Sequence, residues 1–399
     1  MRSSESDIAK AHRLVAYIYY SAPWEMKSGD DVRVHTILSL LATQHRVIAF
    51  HLTTGHEQYK TTVTNNVIYV AIPRKFYRMA SRFLRWRWHQ DLNPLMKVTH
   101  YIDEFLAAVK ISNEIKRADV ALVIGAMTIA PFLLQILGVR TKIIYDPLAN
   151  YAQTLYLRAR TSLREVIKYG VFLMLHKLQI KTSTTVIYPS AVDQTTAQAM
   201  FKPRNTSVIT NPSPVCYDSI EEYNKLRGRR RDYTKPYFVL LAGGRGKSNE
   251  EAVRHTIRVF SEITDGFLFI TGPWNDYNKA IKSDNIKILG TVPHRELKEL
   301  LAVADYGLSP IFSHAAGTFM KMLAYQAADL NIIASPYSIL GLDLNPRKVR
   351  IIHSYDEYAQ AVREAVQNYE PHQQRRPLTC KERDEALQAQ ISQALRQFL

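Results

Sequence analysis

The amino-acid sequence predicts an α/β fold of two lobes, each built on a parallel sheet. Short β-branched or aromatic runs alternate with helical patterns along most of the chain, break off around residues 218–236, and then start again. A length of 399 residues also suits two domains. Strands joined by crossover helices form parallel sheets with helices on both faces, so we expect a ligand cleft between the lobes, at the carboxyl ends of the strands.

The first lobe is assigned to residues 1–217. Its predicted strands and helices follow each other in regular order, and the helix at 31–42 has Val34, Ile37, Leu38 and Leu41 on one face. The predicted strands cover residues 14–20, 46–52, 120–124 and 142–145, and the predicted helices cover residues 31–42 and 129–137.

A basic linker is predicted at residues 218–236, because residues 227–232 are nearly all arginine and glycine and Pro236 follows them. The second lobe is assigned to residues 237–355, and a helical, polar tail to residues 356–399. The predicted strands of this lobe cover residues 238–242, 267–271, 286–289 and 331–335, and its predicted helices cover residues 249–262 and 295–304.

Charge and cysteine content narrow the possible classes of function. Lys and Arg number 52 against 36 for Asp and Glu, a net charge of +16, which favours anionic partners: nucleic acid, nucleotide phosphates or an anionic membrane. The two cysteines, Cys216 and Cys380, exclude a disulfide scaffold and a zinc site made mainly of thiolates. We therefore expect a reducing compartment. No metal or cofactor is predicted.

Membrane spans and targeting segments are not predicted. The longest apolar runs are far shorter than the ~20 residues that a bilayer crossing needs, and the first dozen residues have no apolar core. The expected location is the cytoplasm, with peripheral contact at the inner face of the cell membrane.

The first candidate motif lies between the first strand and the first helix, at residues 28–33. Gly29 lets the backbone approach a ligand, and the free amides of a helix start attract anions. The same residues also suit an ordinary turn capped by Asp30 or Asp31. Both interpretations stay open on the sequence.

The second motif is the loop at residues 242–248, directly after a strand and before a helix. Gly243, Gly244, Arg245 and Lys247 combine flexible backbone, two cations and a helix start, which suits a diphosphate. Neither the P-loop spacing nor the dinucleotide-binding glycine spacing is present. The alternative is a solvated basic loop.

The third motif is a small-residue loop that opens a helix at Gly317 and Thr318. Lys321 falls in about the first turn of this helix, where a cation is unfavourable against the helix dipole unless it meets an anion. The sequence therefore favours a phosphate contact at Lys321, against the alternative of a solvated surface lysine. His314 lies in the same loop.

Two segments of the second lobe carry a family resemblance. Residues 288–305 contain Leu-Gly-Thr-Val-Pro followed by Leu-x-x-Leu-Leu-x-x-Ala-Asp, and residues 317–328 read Gly-Thr-Phe-Met-Lys-Met-Leu-Ala-Tyr-Gln-Ala-Ala. Their order and spacing resemble nucleotide-sugar glycosyltransferases of the GT-B class, family 4 (group 1) type. Weaker similarity covers residues 28–41, 143–146, 186–190 and 208–212 of the first lobe.

The resemblance implies sugar transfer from a nucleotide-sugar donor with retention of configuration and without a metal. It implies that Arg245, Lys247 and Lys321 stabilise the departing diphosphate together with the amides of Gly317 and Thr318, and that the base lies against residues 291–293, which include Val292. His314 then either contacts the sugar or is a structural histidine.

The sequence departs from the family at its paired glutamates, which would fall at Ala316 and Ala324. This departure keeps open a non-catalytic protein of the same fold that binds a nucleotide or a partner, and the high net charge keeps open a nucleic-acid-binding protein. If Ala324 occupies the ribose-binding position, Ala324→Glu is expected to tighten donor binding.

Residues 74–89 combine cations and tryptophans at helical spacing. This pattern is typical of an interfacial membrane helix, and it fits an acceptor that is lipid-linked or a glycan. A solvated helix face and a grip on RNA phosphates are the alternatives. The predicted membrane contacts are Lys75, Arg78, Arg82, Arg85, Trp86 and Trp88.

Overall fold

The computed structural model describes residues 13–18, 29–53, 61–76, 94–125, 128–148, 163–230, 232–281, 283–312, 319–371 and 374–396. It divides into two compact units. The N-terminal unit comprises residues 1–210 and 387–399, and the C-terminal unit comprises residues 211–386.

The N-terminal unit has a sheet of eight described strands in the order β3-β4-β2-β1-β5-β6-β7-β8. Neighbouring strands are parallel except for the antiparallel pair β3 and β4. The elements are β1 (Arg13–Ile18), α1 (Gly29–Leu41), β2 (Arg46–Thr53), β3 (Thr61–Thr64), β4 (Val67–Pro73), α2 (Pro94–Lys116), β5 (Val120–Ile124), α3 (Ala130–Ile136), β6 (Lys142–Asp146), α4 (Leu163–Thr182), β7 (Thr185–Tyr188), α5 (Ala191–Phe201) and β8 (Thr206–Val208).

Both faces of this sheet are buried, which explains why its central strands are continuous apolar runs and not alternating ones. On β1, Leu14, Ala16 and Ile18 pack on one face, whereas Val15 and Tyr17 pack on the other. The first face is covered by α1, and the second by α2, α3, α4 and α5. The α/β class predicted from the sequence is confirmed.

The C-terminal unit has a parallel sheet of six described strands in the order β11-β10-β9-β12-β13-β14. Its elements are α6 (Ile220–Arg227), β9 (Tyr237–Leu241), α7 (Lys247–Ser261), β10 (Phe267–Thr271), a 3-10 turn (Asn275–Ala280), β11 (Ile286–Gly290), α8 (His294–Val303), β12 (Tyr306–Ser309), α9 (Met320–Ala327), β13 (Asn331–Ala334), α10 (Pro336–Ile339), a 3-10 turn (Pro346–Lys348), β14 (Val349–Ile351), α11 (Tyr355–Gln367) and α12 (Cys380–Leu395).

The unit boundaries differ from the predicted ones, because the segment predicted as a linker contains helix α6. Ser219 caps this helix by accepting a hydrogen bond from the amide of Glu222 at 3.2 Å. Tyr223 is fully buried, and its hydroxyl donates to the carbonyl of Ala328 at 3.2 Å. One buried tyrosine thus packs an otherwise polar helix into the C-terminal unit. The boundary between the units lies between residues 210 and 211, and not at the predicted linker.

The tail predicted at residues 356–399 is also divided between the units. Helix α11 and the start of α12 belong to the C-terminal unit, and α12 crosses the division at residues 386/387. Its last turns contribute Leu387, Ile391, Ala394 and Leu395 to the core on the α1 face of the N-terminal unit.

Asp305 binds arginines that the sequence presents as a solvated linker. Its carboxylate, 4% exposed, lies 2.6 Å from Nη1 of Arg230, 2.7 Å from Nη2 of Arg375 and 3.9 Å from Nη2 of Arg227. It also accepts a hydrogen bond from the amide of Tyr237 at 2.9 Å. Asp305 therefore holds Arg227 and Arg230 of the arginine-rich segment at the amino end of β12, and Arg229 pairs separately with Glu299 at 2.9 Å.

Cys216 and Cys380 form a disulfide, with their Cα atoms 4.9 Å apart. Backbone hydrogen bonds from Tyr217 to Leu378 at 3.0 Å and from Cys380 to Tyr217 at 2.8 Å bring the two segments together. Disulfides persist in oxidising compartments, so the cysteines no longer support the expected reducing one. No helix in the described residues is long and apolar enough to cross a membrane.

Candidate functional site

Three connections of the C-terminal unit leave strands at the carboxyl edge of its sheet, and residues 313–318 of the third lie outside the described residues. The first follows β9, the second follows β11, and the third precedes α9. Because the strands are parallel, the loops that follow them lie at one edge, and ligands of open α/β sheets bind there. This edge is the candidate site.

The loop after β9 ends in an uncapped helix start. Gly243 and Gly244 are exposed, with open space where a side chain would project. Gly246 occupies the N-cap of α7 and offers no side chain to the amides of the first turn. These amides and the helix dipole are therefore available to an anion.

The end of β9 is fixed by a close backbone contact with the segment after β10. Gly272 has φ +111°, and a Cβ there would lie 2.0 Å from the carbonyl oxygen of Ala242. The indole of Trp274, 1% exposed, donates to the same oxygen at 2.7 Å. Glycine is required at 272, and the two contacts hold the start of the glycine loop in place.

Lys321 lies in the first turn of α9 and faces this loop. Its Nζ donates to Oδ1 of Asn249 at 3.1 Å, and Nδ2 of Asn249 donates to the carbonyl of Gly244 at 2.9 Å. Burial lowers the pKa of Lys321 to about 8, and no described carboxylate forms an ion pair with its ammonium. A desolvated cation beside free helix amides is suited to binding phosphate oxygens.

Tyr325, one helical turn after Lys321, sets the position of α9. Its hydroxyl accepts from the amide of Leu241 at 2.9 Å and donates to the carbonyl of Leu308 at 3.0 Å. Its ring lies so close to Gly307 that a Cβ there would be 2.4 Å from it. The hydroxyl thus joins α9 to β9 and β12, and residues at i and i+4 share a helix face, so the same contact positions Lys321.

The other residues predicted to bind the donor in this unit are not in contact with Lys321 or Asn249 in the hydrogen bonds of the described residues. Arg245 is turned toward Asp276, which it contacts at 2.6 and 3.2 Å, and toward the carbonyl of Pro273 at 2.8 Å. Lys247 is exposed on the first turn of α7, and Val292 is half-buried in the loop after β11. His314, Ala316, Gly317 and Thr318 lie outside the described residues.

Asn249 is a residue of the site that sequence reasoning missed. It joins the carbonyl of Gly244 to the ammonium of Lys321, so it connects two of the three loops. Asparagine three residues into a helix gives no sequence signal of its own. Only the contact with α9, 72 residues away, reveals it.

Ala324 is fully buried in the apolar cluster that also contains Leu241, Met322 and Tyr325. A side chain at this position points into the core, which revises the expectation that a glutamate there tightens donor binding. We expect Ala324→Glu to lower the free energy of unfolding by at least ~2 kcal/mol, because a carboxyl group would be buried without a prepared partner.

Denaturant unfolding of the Ala324→Glu variant measures this effect. Gln326, exposed on the same helix, provides the matched control: Gln326→Glu is expected to change the unfolding free energy little. Equal stability of the two variants would show that position 324 opens to solvent.

Three aspartates lie at the carboxyl edge of the N-terminal sheet, two at the start of α1 and one at the end of β6. Gly29 begins α1 and is followed by Asp30 and Asp31 in the first turn. The guanidinium of Arg33, 1% exposed, pairs with Asp146 at the end of β6 at 2.9 Å. Carboxylates at this helix start favour the capped-turn interpretation of the motif.

The pKa of Asp30 is raised in the folded protein. Burial, then the charges of Asp146 and Asp31, raise the pKa of Asp30 to about 6, against the opposing effect of Arg33. A carboxyl whose pKa is raised on folding loses stability as pH rises through the folded value, so charged Asp30 destabilises the protein at pH 7.

We therefore expect Asp30→Asn to raise the unfolding free energy at pH 7 by about 1–3 kcal/mol, and to have little effect at pH 4. Urea unfolding at the two pH values is the measurement. A gain of the same size at both pH values would show that the charge of Asp30 is not its cause.

The predicted membrane segment is mostly undescribed. Lys75 is exposed directly after β4. Arg78, Arg82, Arg85, Trp86 and Trp88 lie outside the described residues, so the membrane contact of residues 74–89 stays a prediction.

Comparison with known structures gives matches over nearly the whole chain. A UDP-forming trehalose-phosphate synthase from Burkholderia xenovorans, in complex with glucose-6-phosphate, is 12% identical with a TM-score of 0.64, covering 97% of this chain and 96% of that one. A sucrose-phosphate synthase from Thermosynechococcus elongatus is 12% identical with a TM-score of 0.62 and the same coverage of 97% and 96%. The chain has the GT-B fold.

A third structure of this fold, Anabaena HepE in complex with UDP and glucose, is 12% identical with a TM-score of 0.60, covering 97% of this chain and 95% of that one. No family model matches the sequence. No curated protein matches it either. At these sequence identities the similarity establishes the GT-B fold alone. An activity has to be inferred from the residues of the candidate site.

Proposed function

We propose that this protein is a glycosyltransferase that moves a sugar from a nucleotide-sugar donor to an acceptor, with retention of configuration and without a metal. The observation that carries the proposal is the half-buried ammonium of Lys321, which is joined through Asn249 to the glycine loop at the start of α7. Support comes from proteins of the same fold whose structures hold UDP with glucose, or glucose-6-phosphate.

In this proposal the C-terminal unit binds the donor through its diphosphate. Lys321 and the first-turn amides of α7 bind the phosphate oxygens, and Lys247 adds a cation at the same helix start. As the bond between sugar and diphosphate breaks, negative charge grows on the leaving group, and these donors stabilise it without reorganising. Arg245 joins them by leaving Asp276, with which it forms an exposed pair.

The remaining predicted contacts complete the donor site. The half-buried Val292 lies at the same sheet edge and provides an apolar surface for the base. Gly317 and Thr318 add backbone amides, and His314 contacts the sugar. These three residues belong to the loop whose preceding strand end is fixed by hydrogen bonds among Ser309, Ser335 and Ser338.

The N-terminal unit binds the acceptor in this proposal. The half-buried Asp30 places a hydrogen-bonding group at the carboxyl edge of its sheet, where sugar hydroxyls can be recognised, and the buried Arg33–Asp146 pair supports this edge from below. Asp30 and Asp31 directly follow Gly29, so the donor contact predicted there is less favoured than a hydroxyl contact. The acceptor is lipid-linked or a glycan, and residues 74–89 hold the protein at the anionic inner face of the cell membrane.

The test is a panel of nucleotide sugars, with release of nucleoside diphosphate and transfer to added acceptors as readouts. A productive donor is expected to raise the thermal unfolding midpoint and to release its nucleoside diphosphate. Binding of no nucleoside diphosphate at millimolar concentration would contradict the proposal.

The second candidate is a non-catalytic protein that binds a nucleotide on the same site. The buried Ala324 favours it, since this helix offers no carboxylate where the family has one. The same panel separates the two: tight binding of nucleoside diphosphates without turnover of any donor supports the second candidate.

A further inference from the structure

Two helices of the N-terminal unit expose rows of large apolar side chains. On α2 the row consists of Ile102, Phe105, Leu106 and Val109, each 39–47% exposed. On α4 it consists of Leu163, Val166, Ile167, Val171 and Met174, each 47–76% exposed. The spacing of three and four residues puts each row on one side of its helix. Single exposed apolar residues are common, but two such rows are not.

The two rows lie on one face of the unit. Helix α3 packs against both α2 and α4, and all three cover the same side of the sheet. Both α2 and α4 connect parallel strands, so they run in the same direction, from the carboxyl edge to the amino edge. Ile136 at the end of α3 is 62% exposed between them. We call this surface the α2–α4 face.

Cations continue both rows toward the amino edge. Lys110, Lys116 and Arg117 are exposed in and just after the last turns of α2, and Lys177 and Lys181 follow Met174 at helical spacing on α4. Helix α2 also carries three acids among its described residues. Asp103 and Glu104 are buried, and Glu114 pairs with Arg13.

We propose that the α2–α4 face docks on an anionic lipid bilayer, with the apolar rows inserted at the interface and the lysines at the headgroups. The combination of an apolar strip with cations beside it complements such a surface, as does the net charge of +16. Lys and Arg keep their charged ends at headgroup level while their stems lie along apolar surface. A protein partner with mixed polar and apolar residues would not require the apolar residues of α2 and α4 to be separated from the cations at the ends of these helices.

The sequence that precedes α2 has a composition similar to that of the α2–α4 face. The sequence of residues 77–93, which leads directly into α2, carries Arg78, Arg82, Arg85, Trp86 and Trp88. In addition, the row on α4 begins with the first residue of that helix, Leu163, and so at the carboxyl edge, the edge that carries Asp30 and Asp146. Docking through this face would bring that edge to the bilayer, where it could reach a lipid-linked acceptor. This last step rests on the proposed function, and the docking itself does not.

Vesicle flotation with the full chain tests the proposal. The vesicles are phosphatidylcholine with or without about 30% phosphatidylglycerol, an anionic fraction whose surface charge attracts basic proteins. The test variant is Leu106→Ser, Ile167→Ser and Met174→Ser together. The matched control is Leu289→Ser, Leu340→Ser and Ile351→Ser, which removes apolar side chains 42–48% exposed on the C-terminal unit. Because all six are exposed, both variants are expected to fold.

The proposal expects binding to anionic vesicles, a loss of about tenfold or more in the test variant, and no loss in the control. Lys177→Glu with Lys181→Glu is expected to weaken binding more at low salt than at high salt. Nucleoside diphosphate binding should stay unchanged in every variant, which separates this result from a failure of the proposed function.

Three outcomes would overturn the proposal. The first is equal vesicle binding by the test variant and the wild type, with loss only on changing Arg78, Arg82 and Arg85 to Glu. The second is a wild-type dimer in sedimentation that dissociates in the test variant, which would make the face an interface between copies. The third is no binding to anionic vesicles at low salt.

Discussion

Replacing Lys321 by methionine is expected to weaken nucleoside diphosphate binding by about 10- to 150-fold, the equivalent of a hydrogen bond to a charged group. Methionine keeps the length and apolar packing of the side chain and removes only the ammonium. Isothermal titration calorimetry with several nucleoside diphosphates measures the change. Lys287→Met, at an exposed position on β11, is the matched control and should bind like the wild type.

The lowered pKa of Lys321 gives this prediction a second readout. With a pKa of about 8, close to half of the free protein carries a neutral lysine at pH 8. A bound diphosphate favours the charged form and raises the pKa, so binding at pH 8 should take up about half a proton. At pH 6.5 the lysine is already charged and uptake through it should vanish. Titrations in buffers of different ionisation enthalpy measure the uptake.

Unchanged affinity in Lys321→Met, or the same proton uptake at pH 8 in that variant, would contradict the phosphate assignment. Asn249→Ala extends the test, because Asn249 holds the ammonium toward Gly244. A smaller loss is expected there than in Lys321→Met, since the charge itself remains.

Asp305→Ala is expected to lower the unfolding free energy by about 3–5 kcal/mol, because it leaves buried arginines without their carboxylate. The side chains of Arg230 and Arg375 are 0% and 5% exposed, and both bind Asp305 within 2.7 Å. The amide of Tyr237 at the start of β9 also loses its acceptor. The effect should therefore exceed that of breaking any exposed ion pair in the chain.

Urea unfolding, followed by a probe in the C-terminal unit such as Trp274 fluorescence, measures this loss. The control is Asp265→Ala, which removes the 72% exposed carboxylate that pairs with Lys235 at 3.2 Å. It should leave the unfolding free energy nearly unchanged. A similar small effect of both substitutions would mean that the arginine cluster around Asp305 does not contribute to stability.

Four strands of the N-terminal sheet, β1, β2, β5 and β6, were predictable because they are largely buried apolar runs, whereas the more exposed β3 and β8 were not predicted. The predicted strand at 120–124 agrees with β5 at both ends, and the predicted helix at 129–137 contains α3. Continuous apolar runs of this length are a local signal, and the crossover helices between them fix the parallel arrangement. The α/β class and the presence of two sheets follow from these local patterns.

The linker and the cysteine pair were not predictable, because both depend on distant residues. An arginine-rich run is solvated in most proteins, and only Asp305, 75 residues after Arg230, makes it part of a core. Cys216 and Cys380 are separated by 164 residues. In the candidate site, Lys321 was predicted from its unfavourable place on the helix dipole, whereas Asn249 required the fold.

Helix α12 has a consequence for the order in which the protein matures during synthesis. Leu387, Ile391 and Leu395 complete a core built on strands from residue 14 onward, so the first unit to leave the ribosome lacks part of its interior until these three residues are translated. The C-terminal unit needs nothing beyond residue 386. Domains usually fold in the order of their synthesis, but here the second unit can close first, while the nascent first unit still exposes apolar surface that chaperones recognise.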